Sequence, residues 1–407
     1  MTTQTHTLPN GLRMIHLQTN SPVAYCGLAV NAGSRDELKH EHGLAHFVEH
    51  TVFKGTRKRK AWHILNRMER VGGELNAYTS KESTFIYSIF MEKDFTRAVE
   101  LLSDLVVNAQ FPENELIKEC EVILDEIQSY EDTPSELIFD DFENLLFAGH
   151  PLGHHILGKK STLKKFNTAI GKSFLDRFYV AENMVFFSMS RLEPKQVIKT
   201  AEKFMSLIPS QKAPILREKP QIIHSHTSQK KKNTHLTHII IGGHAPDMYH
   251  AQKYPLFLLN NILGGPGMNS RLNVSLREKN GLVYTVESNL TSYTDTGVFT
   301  IYLGTEPKNK ELAISLVEKE LTELCTKKLT DRQLSAAKKQ AIGQLGVASD
   351  HKESRFLELG KSFLHFNRYE NRSDIFRKIE NITASQMLEA ANETMGAGGL
   401  NCLVFCR

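Results

Sequence analysis

The sequence predicts an α+β protein of two homologous domains, each a mainly antiparallel sheet covered by helices on one face. Three observations carry this. The chain repeats itself: "STFIYSIFMEKDFTRAVELLSDLVV" from Ser83 and "GVFTIYLGTEPKNKELAISLVEKEL" from Gly297 share one plan at an offset of about 215 residues, roughly half of the 407-residue chain. Strands in each half read as hairpins with helices after them, not as strict strand–helix alternation, which favours α+β. Between the halves, "SLIPSQKAPILREKPQIIHSHTSQKKKN" from Ser206 is polar, holds three prolines and lacks any sustained period. The expected boundaries are therefore a first domain over 1–205, a linker over 206–234 and a second domain over 235–407.

In chain order, "MTTQTHTLPNGLRMIHLQ" reads as strand, turn at "LPNG", strand. The first repeat copy opens with an alternating, β-branched strand. An amphipathic helix follows, with Ala98, Leu101, Leu102 and Leu105 at helical spacing. Ala313, Leu316, Val317 and Leu321 match them in the second copy. A helix start ("FPENEL", "LTDRQL") then opens a second helix in each copy. Strands resume after the linker at "HLTHIIIGGHAP".

Composition is that of an ordinary globular chain. A formal charge of +4, from 50 basic and 46 acidic residues, excludes a strong nucleic-acid or membrane attraction. The basic runs "KGTRKRK" from Lys54 and "QKKKN" from Gln229 read as solvated loops. Five scattered cysteines, without a CxxC pair, argue against a disulfide-built secreted protein, and Cys402 and Cys406 are expected as buried thiols in an apolar terminal strand. Neither a signal peptide nor an apolar run of about 18 residues is visible, so a cytoplasmic location is expected.

The chemistry concentrates in "HGLAHFVEHTVFKGT", His42 to Thr56. His46 and His50 are four apart, so a helix puts both on one face, within reach of a single ion. Glu49 lies one position off that pair, a geometry that suits a base acting on water better than a third ligand. H-x-x-E-H reverses the common zinc-protease order. A catalytic zinc usually takes three protein ligands, so a further carboxylate or imidazole is needed. "FPENELIKECEVILDEIQSYE" is a good candidate helix. Leu116, Cys120, Ile123, Leu124 and Ile127 form its apolar stripe, and Glu119 and Glu126 lie seven apart on one face. His40 and His42 read as surface or supporting residues, and the histidines of "HPLGHHILG" from His150 as structural.

"HGLAHFVEHTVFKGT", "GGELNAYTSKESTFIY" and "ECEVILDEI", in that order and spacing, resemble the zinc peptidases of the insulinase/pitrilysin family. The two-domain bacterial type, similar to the mitochondrial processing peptidase β subunit, is nearest. The resemblance implies one zinc ion per chain held by His46, His50 and Glu126, the last within "VILDE". It also implies Glu49 as general base and Glu119 as the carboxylate that orients a ligand histidine. Asn76 and Ala77, on a strand edge, are implied as substrate contacts by main-chain pairing. In the second half, which lacks H-x-x-E-H and has Gln344 near the counterpart of Glu126, the resemblance points to Arg277 and Tyr284 of "REKNGLVY" as substrate-binding groups near the scissile carbonyl. Read without it, they are a helix-surface arginine and a strand tyrosine. The "GGPG" loop, Gly264 to Gly267, is family-like and equally a helix stop. The implied function is a zinc endopeptidase acting on unfolded peptides within a chamber. It would be formed by a homodimer or by a heterodimer with an inactive homologue, with Arg277 and Tyr284 acting in cis or in trans. The alternative is a non-catalytic structural subunit. Such relatives usually lose one of the His/Glu residues, and this chain keeps all four.

Overall fold

A computed structural model of the chain describes residues 3–224, 226–348, 350–396 and 399–407. They form two compact units, and the units do not follow the chain halves strictly. The first comprises 1–128, 154–217 and 349–369; the second comprises 129–153, 218–348 and 370–407. Each half of the chain thus contributes one sheet to its own unit and one short segment to the other.

The first unit is built on six strands: β1 (Thr3–Thr7), β2 (Arg13–Gln18), β3 (Val23–Val30), β4 (Glu74–Thr79), β5 (Thr84–Met91) and β6 (Met184–Ser190). Their order is β1-β2-β6-β3-β5-β4. Every pair is antiparallel except β2–β6. The turn read at "LPNG" joins β1 to β2, with Gly11 at φ 89°, a left-handed value that glycine adopts without strain. One face packs on a core shared with helices α1 (Leu44–Thr51), α2 (Ala61–Glu69), α3 (Phe95–Asn108) and α4 (Glu113–Glu131). Ala98, Leu101, Leu102 and Leu105 of α3 are all fully buried, as their spacing requires.

The opposite face is covered too, which corrects the expectation of helices on one face only. Helix Lys352–Phe366 lays Phe356, Leu359, Phe363 and Leu364 against Ile15, Phe85, Tyr87, Val185 and Phe187. Phe356 stacks on Phe187 with centroids 4.4 Å apart. Tyr87 donates to Glu353 at 2.8 Å at the start of that helix. The physical cause lies in the strands. "VAYCGLAV" and "MVFFSMS" are apolar on both faces, and such strands need two covering layers.

The second unit repeats the plan with β7 (Thr227–Lys231), β8 (Thr237–Ala245), β9 (Val283–Ser292), β10 (Gly297–Thr305) and β11 (Asn401–Cys406), in the order β7-β11-β8-β10-β9. Helices Lys253–Gly264, Lys310–Thr326 and Asp331–Ala348 share its main core. Its other face is covered by helix Pro134–Leu146, through Leu137, Ile138, Phe142 and Leu146. Two expectations are corrected here. Residues 206–234 are not purely a linker, because they supply β7, which pairs in parallel with β11. Arg217, in the same stretch, is buried in the first unit against Asp36 at 2.8 Å. Cys402 and Cys406 are free thiols but only half-buried.

Two outcomes are expected. Phe356→Ala removes a buried ring from the outer layer of the first sheet and should cost about 3–5 kcal/mol. The loss is to be read as a lower urea midpoint of the first unit, against a near-neutral change for the exposed Ile117→Ala. Burial also holds His154, His244 and His365 neutral, with pKa values lowered to about 4. A histidine whose folded pKa lies below its unfolded value of about 6.5 binds more protons when unfolded. Its contribution is complete above that value and is lost as pH falls toward 4. The thermal midpoint of the chelator-treated protein should therefore be lower at pH 5 than at pH 7.

Candidate metal centre

Helix α1 spans two turns, and six of its eight residues are buried: Leu44, Ala45, His46, Phe47, Val48 and Thr51. The apolar ones key the helix into the core, so His46 and His50 emerge together toward α4. Their rings lie 4.6 Å apart. From α4, which Leu116, Ile123 and Ile127 anchor, Glu126 brings a carboxylate oxygen 3.7 Å from His46 Nε2 and 3.6 Å from His50 Nε2. These are the one group of three or more potential ligands among the described residues, with all ligand atoms within 4.8 Å of one another.

The donor set fits zinc. Two ligand atoms at the usual Zn–N and Zn–O lengths on a tetrahedral ion stand about 3.3 Å apart, close to the separations seen. Burial, with His50 beside it, lowers the pKa of His46 to about 3, so its imidazole is neutral. Glu126 is partly exposed, its side chain at 44%, which leaves an approach from solvent. His46 Nδ1 is buried without a hydrogen-bond partner, a desolvation cost at a ligand residue.

Glu119, one heptad before Glu126, accepts from His50 Nδ1 at 3.2 Å. That bond fixes the tautomer, leaving Nε2 with its lone pair directed at Glu126. The other Glu119 oxygen takes Lys54 Nζ at 2.6 Å. Glu49 is off the ligand face, as its position in the helix requires. Burial raises its pKa, and Thr79, at the end of β4, acts the other way by favouring the ionised carboxylate. Strand β4 is the outermost of its sheet, with Asn76 and Ala77 half-buried and paired to Tyr87 and Ile86 of β5 on one side only.

Sequence reasoning missed Lys54 and Thr79. Lys54 lies beyond the end of α1, so helical spacing gave no signal for it. Thr79 carried none, since its proximity to Glu49 is tertiary. His154, assigned to structure, bonds Glu37 at 3.0 Å and lies outside the ligand group.

The profile described as Insulinase (Peptidase family M16) matches residues 13–160, and that of the Peptidase M16 inactive domain matches 171–341. A zinc protease of Rickettsia felis, described as uncharacterized, is 34% identical across 95% of this chain and 93% of its own length. One of Bacillus subtilis, described likewise, is 31% identical across 94% and 93%. The chain belongs to the insulinase family of zinc peptidases. Two solved structures share its fold. The peptidase M16 inactive domain of Pseudomonas fluorescens has a TM-score of 0.93 at 21% identity, covering 100% of this chain and 98% of its own. A protease from Helicobacter pylori has a TM-score of 0.91 at 20% identity, covering 100% of each. The two family profiles fall on the two halves of the chain, and the M16 motif H-x-x-E-H is confined to the first.

In the second unit, Arg277 sits in a π-helical turn, Asn273–Glu278, and Tyr284 on β9. The guanidinium lies 5.5 Å from the centroid of the Tyr284 ring. Tyr284 is 82% exposed. Both line a cavity of about 510 Å³ with Asn260, Ser288 and the Gly264–Gly267 loop. No helix among the described residues is long and apolar enough to cross a membrane.

Replacing Glu119 by Gln should lower zinc affinity about 10- to 100-fold, the usual effect of losing a carboxylate that orients a ligand histidine. Competition with a chromogenic chelator reads this directly.

Proposed function

We propose that this chain is a zinc-dependent endopeptidase that hydrolyses unfolded peptides. The observation that carries the reading is the convergence of His46, His50 and Glu126, with Glu49 beside them and outside the ligand set. Zinc held there supplies Lewis acidity, bringing water into the neutral pKa range and polarising a peptide carbonyl. Glu49 takes the proton as the water oxygen adds to the carbonyl carbon, and returns it to the amine nitrogen as the C–N bond breaks. Thr79 lies near the Glu49 carboxylate and favours its ionised, proton-accepting form. Glu119, braced by Lys54, keeps His50 in its ligand tautomer.

The free side of β4 supports substrate binding by strand addition, in which Asn76 and Ala77 offer main-chain groups. Such pairing reads backbone, not side chains, and so suits peptides of varied sequence. Family resemblance supports Arg277 and Tyr284 as groups that bind the substrate near its scissile carbonyl. It also supports a working unit of two chains enclosing a chamber, as a homodimer or with an inactive homologue.

The test is hydrolysis of a quenched-fluorescent, unstructured peptide of about 10–25 residues by the purified chain, a length chosen to suit strand addition. Glu49→Gln should keep zinc and lose at least about 100-fold in turnover, the scale of a missing general base. Chelation should abolish the wild-type rate, and added zinc should restore it. If both proteins hold zinc and neither cuts, the lone-enzyme reading is wrong and a partner-dependent or structural role takes its place.

A further inference from the structure

Helix α1 has an unusual start. Its N-cap is Gly43, at φ 96°, which has no side chain to accept from the first helical N–H groups. The Leu44 N–H is taken by the Glu41 carbonyl at 2.8 Å, and Ala45 and His46 are buried, so water does not serve their donors. The acceptor comes from outside the helix. Glu37, completely buried, takes the Ala45 N–H on Oε1 at 2.7 Å and the Gly43 N–H on Oε2 at 2.9 Å. His154 Nε2 meets Oε2 at 3.0 Å.

His154 is held in turn. Its ring stacks on His42, centroids 4.1 Å apart and nearly parallel, and its backbone carbonyl accepts from Lys81 Nζ at 2.6 Å. Beside it, Gly158 packs so closely on Gly43 that a Cβ there would fall 2.2 Å from the His42 carbonyl oxygen. Thr162 donates to the same carbonyl at 2.6 Å. The segment 154–162 therefore seals the mouth of α1, and Glu37 is the acceptor inside the seal.

We propose that Glu37, oriented by His154, is a positioning residue for the metal centre. It fixes the N-terminus of α1, and thereby the placement of His46 and His50 against Glu126. The inference rests on the metal site proposed above. A two-turn helix has little intrinsic stability and takes its position from its contacts. The Ala45 amide is one residue from His46, so any slip at the cap reaches the first ligand directly, and a metal site tolerates only about 0.2 Å of error in its donor distances.

The experiment measures zinc affinity by chelator competition and the visible absorption spectrum of the cobalt-substituted protein, alongside thermal unfolding of the metal-free form. Glu37→Gln keeps the shape but puts an NH2 against either the Gly43 or the Ala45 N–H. It should fold, bind zinc about 10-fold more weakly and give an altered cobalt spectrum. Unchanged zinc affinity and spectrum, whatever the thermal midpoint, would overturn the proposal and leave Glu37 as a stabilising residue only. If Glu37→Gln does not fold, His154→Gln decides: weaker zinc binding supports the proposal, and unchanged binding overturns it. Absence of zinc binding by the wild type overturns the metal reading itself, and with it this inference, and is distinguishable from the other outcomes because no variant is involved.

Discussion

The meeting of side chains from a two-turn helix and a longer one is the constraint on which the rest of the first unit depends. Two imidazoles on α1 and a carboxylate on α4 can share an ion only if both helices keep their rotation and height to within a few tenths of an ångström. Neither helix can guarantee this alone. Helix α1 is too short to be stable in isolation, and α4 exposes most of its surface, holding on through Leu116, Ile123 and Ile127. The sheet supplies the rigid reference. Its central strands are buried on both faces, so they move only with the whole layer stack. The second covering layer, helix Lys352–Phe366, therefore contributes to a site it does not touch.

Much of the centre was legible in the sequence because it is written in helical spacing. His46 and His50, and Glu119 and Glu126, declare a shared face by their offsets alone, and the offset of Glu49 declares it a neighbour and not a ligand. The repeat was legible for the same reason: Ala98 to Leu105 and Ala313 to Leu321 carry one pattern. What stayed hidden is tertiary. That Thr79 meets Glu49, and that Glu37 caps a helix whose own cap is glycine, depends on loops brought together by folding. The swapped segments were hidden differently. Helices Pro134–Leu146 and Lys352–Phe366 are amphipathic like any others, and no local period says which sheet they cover. Strands apolar on both faces were the available hint that each sheet needed a second layer.

Among the described residues the second unit has no such ligand group, and its corresponding helices are joined differently. Gln344, on the helix that corresponds to α4, accepts from Asn261 Nδ2 at 2.8 Å, tying it to the helix that corresponds to α1. Asn269 and Gln340 exchange two more amide bonds nearby, at 2.9 and 3.1 Å. Neutral amides pair with one another without a counter-ion. Two helices that in the first unit converge on imidazole and carboxylate are joined here by self-sufficient hydrogen bonds. This unit thus joins the two helices through its own side chains, where the first brings together a group that could hold a cation.

The charges in the first unit follow the same logic. Glu49, Glu119 and Glu126 stand around the imidazoles of His46 and His50, with Lys54 on Glu119 as the near cation. Formally ionised, the set carries two uncompensated negative charges. Repulsion from Glu126 adds to burial in raising the pKa of Glu49. In a partly buried pocket such repulsion is not screened away as it is in bulk solvent. A divalent cation bound there would cancel the excess. Lys54 is important to this balance because it neutralises Glu119 without entering the ligand set. Replacing the ammonium by a neutral side chain would leave Glu119 free to turn toward the cation, competing with its task of holding His50. The arrangement would separate the two carboxylate roles on α4 by giving each its own cation: Lys54 for Glu119, and, in the proposed site, a metal for Glu126.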